Sequence, residues 1–166
     1  MKSDAAQTVS ALRDLGITPW LVTGDSSEVA ASVATTVGID VAHVVSHAMP
    51  ETKLEIVERM KSEGHTVLMI GDGINDAAAL TAADLSMAMG TGTDTAINSA
   101  DITLMNTGLG SVISALKLSK KTLKIIRLNM GWALVYNVIG IPIAAAGLLS
   151  PLYAAAAMAA SSVLVV

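Results

Sequence analysis

Gly71-Asp72-Gly73-Ile74-Asn75-Asp76-Ala77-Ala78-Ala79-Leu80 follows the short apolar run 66–70. That run is too short for a helix, and glycine ends it, so it reads as a buried strand. Two carboxylates four residues apart, with glycines between, can converge on one hard cation. Magnesium takes oxygen ligands, keeps several waters and uses one or two protein carboxylates. A lone Gly-Asp-Gly is more often a plain turn, so the flanking sequence has to decide.

Upstream, the same alternation repeats. Positions 5–15 carry apolar residues at helical spacing and stop at Gly16. The run 17–22 is a second strand candidate and ends in Thr23-Gly24-Asp25. Ser26 and Ser27 can cap a helix that continues to Val37 before Gly38. A further short strand is expected over 41–45. Pro50 suits the first turn of a helix over 50–62. Downstream, short strands are expected over 85–89 and 102–105. Strands alternating with helices imply a mainly parallel α/β sheet covered on both faces. Ligands bind such sheets at the carboxyl ends of the strands, where both glycine-aspartate motifs fall. Thr23 can offer a hydroxyl to a phosphoryl oxygen, and Lys53 can offer a point charge.

Charge divides the chain. All 14 acids lie at or before Asp101, and only five bases accompany them, a net −9. The other five bases, Lys117, Lys120, Lys121, Lys124 and Arg127, form one cluster, and no charged residue follows. An acidic body, a basic collar and a neutral tail are the order expected where a cytosolic domain meets a membrane. Cysteine is absent, which excludes disulfides and thiolate metal sites. Nothing near the start resembles a signal peptide. The three histidines are too scattered to argue as ligands.

Positions 128–149 are 22 uncharged residues. As a helix they reach ~33 Å, enough for a hydrocarbon core of ~30 Å. Trp132 lies near the collar, as interfacial aromatics do, and Pro142 should bend the helix. Ser150-Pro151 reads as a turn. Residues 151–166 give ~24 Å of helix, which is short for a second crossing. Tyr136-Asn137 and Met158-x-x-Ser161-Ser162 are polar or polarisable groups within this tail. Packing between helices would account for them as well as function would.

Taken together, Thr23-Gly24-Asp25, Pro50-Glu51-Thr52-Lys53 and the stretch 71–80 resemble the later motifs of the haloacid dehalogenase-like fold as P-type ATPases carry them. The likeness implies a partial Rossmann-type parallel sheet followed by a transmembrane helical hairpin. It implies that Thr23, Gly24 and Lys53 hold an aspartyl phosphate, and that Asp72 binds magnesium with Asp76 in support. Asn75 and the hinge residue Asp25 have less definite roles. Tyr-Asn in one helix and Met-x-x-Ser-Ser in the next resemble the metal signature of copper-exporting heavy-metal ATPases. On that likeness Tyr136, Asn137, Met158 and Ser161 line a path for Cu+, which accepts thioether ligands. Silver would suit the same groups. Residues 1–107 would be the rear of a cytoplasmic phosphorylation domain, 108–127 a connecting helix, 128–149 a membrane helix and 151–166 a final, shortened one.

The expected cofactors are Mg2+ and ATP. The expected partners are membrane lipid, the copper ion and the remainder of an ATPase chain, with no role for nucleic acid. The sequence departs from the family in lacking the nucleophilic aspartate before Lys-Thr-Gly-Thr, the nucleotide-binding domain and the Cys-Pro-Cys copper ligands. The polypeptide alone is therefore expected not to hydrolyse ATP. Two other readings stay open. One is an inert truncated or split product that serves as an interaction module. The other is a membrane-anchored phosphatase, which would need the same missing nucleophile.

Overall fold

The structure, a computed structural model, describes residues 4–106 and 108–147, and for Tyr136 the backbone alone. The chain divides into two compact units between Ala115 and Leu116.

The first unit alternates helices and strands. Helix α1 (Ala5–Asp14) leads to strand β1 (Leu21–Val22), helix α2 (Ser27–Val37) and strand β2 (Val44–Val45). Helix α3 (Pro50–Ser62), strand β3 (Leu68–Gly71), helix α4 (Ala77–Ala82), strand β4 (Leu85–Met89), helix α5 (Asp94–Ser99) and strand β5 (Ile102–Leu104) follow. Ser26 caps α2 by accepting from the Val29 amide, and α2 ends on left-handed Gly38.

Every strand pair is parallel. β1 pairs with β2 in the register Leu21 to Val44, and β3, β4 and β5 lie side by side with β4 central. The expected single sheet is thus a two-stranded and a three-stranded sheet, and several strands are shorter than their apolar runs. Side chains explain the trimming. The Asp40 carboxylate accepts from the Ala42 amide at 2.9 Å and winds Val41–His43 into a 3-10 turn. The Ile17 amide bonds back to Leu12 of α1, and Pro19 has no amide to give. The Val67 amide donates to Asp84 Oδ2 at 2.9 Å, so pairing starts only at Leu68.

Two small apolar clusters hold the unit. Ala5, Val9, Ala34, Val37 and Ile39 pack with Leu21, Val44 and Leu109 around α1, α2 and the β1–β2 pair. Leu80, Ala88 and Ala96 pack with Met69, Ile97 and Ala100 between α4, α5 and the larger sheet. Ala34, Ala88 and Ala96 are fully buried, so helix and strand backbones approach closely there. Ser86 to Met89 are all buried, as befits a central strand.

Helix α6 (Gly110–Ala145) runs for 36 residues, with Pro142 inside it. The expected connecting helix and first membrane helix are therefore one continuous element. Its start is pinned by Asp4, whose Oδ2 accepts from the Gly110 amide at 2.8 Å. By length and composition α6 can cross a membrane. The end of the first expected span and all of 151–166 lie outside the described residues.

Candidate active site

The stretch after β3 is built around one carboxylate. Asp76 closes a 3-10 turn (Ile74–Asp76) and is 6% exposed. Its Oδ2 accepts from the amides of Asp72 and Gly73, both at 3.3 Å. Its Oδ1 takes the Lys53 ammonium at 2.6 Å. Lys53 reaches it from the first turn of α3, which Pro50 starts. A charged pair this enclosed is stable only when its remaining hydrogen bonds are met, and the two amides meet them for Asp76. Gly71 makes the arrangement possible: a Cβ there would stand 2.7 Å from Asp76 Cβ and 2.8 Å from Oδ2.

Asp72 is the opposite case. It is exposed, and its carboxylate has no hydrogen-bond partner among the described residues. Its backbone, by contrast, is fixed. The Asp72 carbonyl accepts from the Thr93 amide at 3.0 Å, and a Cβ on Gly92 would come within 2.7 Å of that same oxygen. Thr93 also caps α5 by accepting from the Ala96 amide. The loop Gly90-Thr91-Gly92-Thr93 therefore buttresses Asp72. It escaped the sequence reading, although two glycines directly after an expected strand were a usable signal.

The loop after β1 forms a second centre. The Thr23 amide donates to the Val45 carbonyl, and the Thr23 carbonyl accepts from the Ala48 amide, each at 2.9 Å. Thr23 Oγ1 donates to Asp25 Oδ2 at 2.9 Å and accepts from the Asp25 amide at 3.2 Å. The Asp25 carbonyl accepts from the amide of His47, whose φ of 51° is unusual for a side-chain-bearing residue. Gly24 and Asn75 are exposed.

The structure thus brings Lys53, Asp72 and Asp76 into one cluster, and Thr23, Gly24 and Asp25 into another. Among the described residues no hydrogen bond joins the two clusters. Segment 48–53 connects them covalently, with Ala48 bonded to Thr23 and Lys53 bonded to Asp76. No group of three or more potential metal-binding His, Asp or Glu side chains occurs among the described residues. The donor set still fits magnesium in part. Asp72 offers an unengaged carboxylate, and magnesium is content with one or two plus water and phosphate oxygens. Asp76, expected to support that ligand, accepts hydrogen bonds on both oxygens, from Lys53 and from the Asp72 and Gly73 amides.

Of the expected metal-path residues, Asn137 lies on α6, is exposed, and gives its side-chain amide to the Ala133 carbonyl one turn earlier at 2.9 Å. The side chain of Tyr136, and Met158 and Ser161 entirely, lie outside the described residues.

A parallel α/β domain in which a lysine from a helix's first turn meets paired aspartates at a strand end defines a class, and the relatives of the chain give that class its name. Residues 1–84 match the haloacid dehalogenase-like hydrolases, and the chain belongs to that family. Within it, the relatives are P-type ATPases. The chain is 52% identical over all 166 residues to "Cation-transporting P-type ATPase B" of Mycobacterium tuberculosis H37Rv. It is 51% identical over the same length to "Copper-exporting P-type ATPase" of that organism. In each case it spans 22% of the relative's length, about a fifth of the curated relatives it matches. A zinc-transporting PIB-type ATPase solved in an E2.Pi state superposes with a TM-score of 0.89 at 33% identity, covering 99% of this chain and 27% of that one.

Proposed function

We propose that this chain supplies the magnesium- and phosphate-handling half of the phosphorylation domain, together with membrane helices, of an ATP-driven copper(I) exporter. In this reading residues 1–107 are the cytoplasmic domain, 108–127 the connecting part of α6, and 128–149 and 151–166 the membrane helices. One observation carries it. Asp76 is engaged by Lys53 and two amides, while Asp72, presented by the same loop, has a carboxylate with no hydrogen-bond partner among the described residues.

The division of labour follows from that. Asp72 would hold Mg2+, which when bound neutralises charge developing on a phosphoryl group. Asp76 would fix the loop and keep the Lys53 ammonium aimed at the strand ends. Thr23 would turn its hydroxyl from Asp25 to a phosphoryl oxygen, with Gly24 leaving space beside it. The attacking carboxylate would come from another part of a longer polypeptide, as would the nucleotide-binding surface.

For the cargo, Tyr136, Asn137, Met158 and Ser161 are the candidates. No acid occurs after Asp101, so the tail holds no carboxylate to balance a divalent ion. That favours monovalent copper over the zinc carried by the structural relative. The test is metal-stimulated ATPase of the full-length protein with Cu(I) and with Zn(II). The expected result is stimulation by Cu(I), abolished by Asp72→Ala and weakened at least tenfold by Met158→Ala, roughly the loss of one transition-state contact. Stimulation by Zn(II) alone, or full activity in Asp72→Ala, would overturn the proposal.

A further inference from the structure

The five bases of α6 take no part in the site described above. Lys117, Lys120, Lys121, Lys124 and Arg127 recur at offsets of three, four, seven and ten. At ~100° per residue they occupy about a third of the helix circumference. All five are exposed, and none pairs with an acid among the described residues. The stripe ends where the uncharged run begins, at Leu128.

We propose that this stripe is a binding surface for anionic lipid headgroups, whose affinity is graded along the helix. The proposal rests on the reading of α6 as membrane-spanning. An acidic protein surface could also balance five positive charges. Continuity favours lipid, because the same unbroken helix carries the stripe directly into the apolar stretch and so fixes its depth. With Arg127 at the hydrocarbon edge, Lys124 stands ~4.5 Å above it, Lys120 and Lys121 ~10 Å, and Lys117 ~15 Å. The headgroup layer is only about 5–8 Å thick, and screening removes the field over about another 8 Å. Arg127 and Lys124 therefore lie among the headgroups, Lys120 and Lys121 at their surface, and Lys117 at the limit of their reach. A base close to an anionic surface strengthens association on the order of fivefold.

The test uses the full-length protein reconstituted in phosphatidylcholine vesicles with and without phosphatidylglycerol. Electron paramagnetic resonance of spin-labelled phosphatidylglycerol and phosphatidylcholine then reports how strongly the protein prefers the anionic lipid. The wild type should prefer phosphatidylglycerol. The double variant K124Q/R127Q should lose most of that preference, and K117Q should lose less than about twofold. Equal association of both lipids with the wild type, or a larger loss in K117Q than in the double variant, would overturn the proposal. So would lipid indifference combined with lysines shielded from acetylation, which would assign the stripe to an acidic protein surface. Alkaline carbonate extraction separates the two levels. Protein released by carbonate sinks the spanning reading and this proposal with it, whereas carbonate-resistant protein without lipid preference sinks this proposal alone.

Discussion

After β3, the Asp76 carboxylate is almost fully enclosed and accepts three hydrogen bonds, from Lys53 and from the amides of Asp72 and Gly73. After β1, Asp25 is exposed, and its carboxylate accepts one side-chain hydrogen bond, from Thr23. Both loops end parallel strands, and both combine glycine with aspartate. The first is a finished frame whose geometry is fixed before any ligand arrives, which is what electrostatic stabilisation of a reacting group requires. The second is held by its backbone, through Val45, Ala48 and His47, while its hydroxyl can be re-aimed at little cost. One domain thus pairs a rigid, internally bonded loop with a loop whose hydroxyl is adjustable; in the proposed function the first would hold the cation and the second the phosphate.

Substitutions can break that contrast. Asp76→Ala should have the largest effect, because it leaves the Lys53 ammonium enclosed without its counter-charge. The expected loss is about 3 kcal/mol of stability, read from urea unfolding of the detergent-solubilised chain. Thr23→Ala, at the equivalent place in the other loop, should cost less than about 0.5 kcal/mol in the same assay. Equal losses would mean that the two loops are not mechanically different.

Gly71→Ala sharpens the comparison. Its new methyl would collide with the Asp76 side chain, so about 2 kcal/mol should be lost, with hydrogen exchange accelerating at Asp72 and Gly73. Gly24→Ala meets only ordinary contact, 3.6 Å from the Ala48 carbonyl, and should leave exchange in its own loop nearly unchanged.

The smallest effect concerns pH. Hydrogen bonds from the Ser86 hydroxyl and then the Ser86 amide hold the Asp101 carboxyl below its ordinary value. A carboxyl lowered on folding stabilises the native state fully above the unfolded-state value. That contribution fades as pH falls through the folded value. Asp101→Asn should therefore lower stability slightly at neutral pH and flatten the acid limb, so that variant and wild type converge at low pH. An unchanged acid limb would show that the Ser86 bonds do not favour the charged form.

Much of this was readable from residue order. The alternation of apolar runs with capped helical spacing gave the parallel α/β class, and 85–89 coincides with β4 as observed. The trimming of strands over 17–22 and 41–45 was not readable, because it depends on where Asp40 and the last turn of α1 send their hydrogen bonds. The site residues stood out as polar groups in glycine-rich strand ends. The resemblance already implied unequal roles for Asp72 and Asp76, but not the contacts behind them, since only packing reveals that Gly71 admits Asp76 and that Asp76 captures Lys53. The support from Gly92 and Thr93 stayed hidden for the same reason. It is a backbone contact between loops some twenty residues apart, so the two glycines could mark the loop but not its partner. The boundary expected at 127–128 is a change of charge, and α6 carries that change without interruption.

The most direct test is a structure of the full-length protein with magnesium and a metal-fluoride mimic of phosphate. The Asp72 carboxylate should lie on magnesium at about 2.1 Å. Asp76 should still be bonded to Lys53 and its two amides, and the Thr23 hydroxyl should have turned from Asp25 onto a fluoride. Magnesium held by Asp76 with Asp72 turned away, or a fluoride site remote from Thr23, would contradict the proposed function.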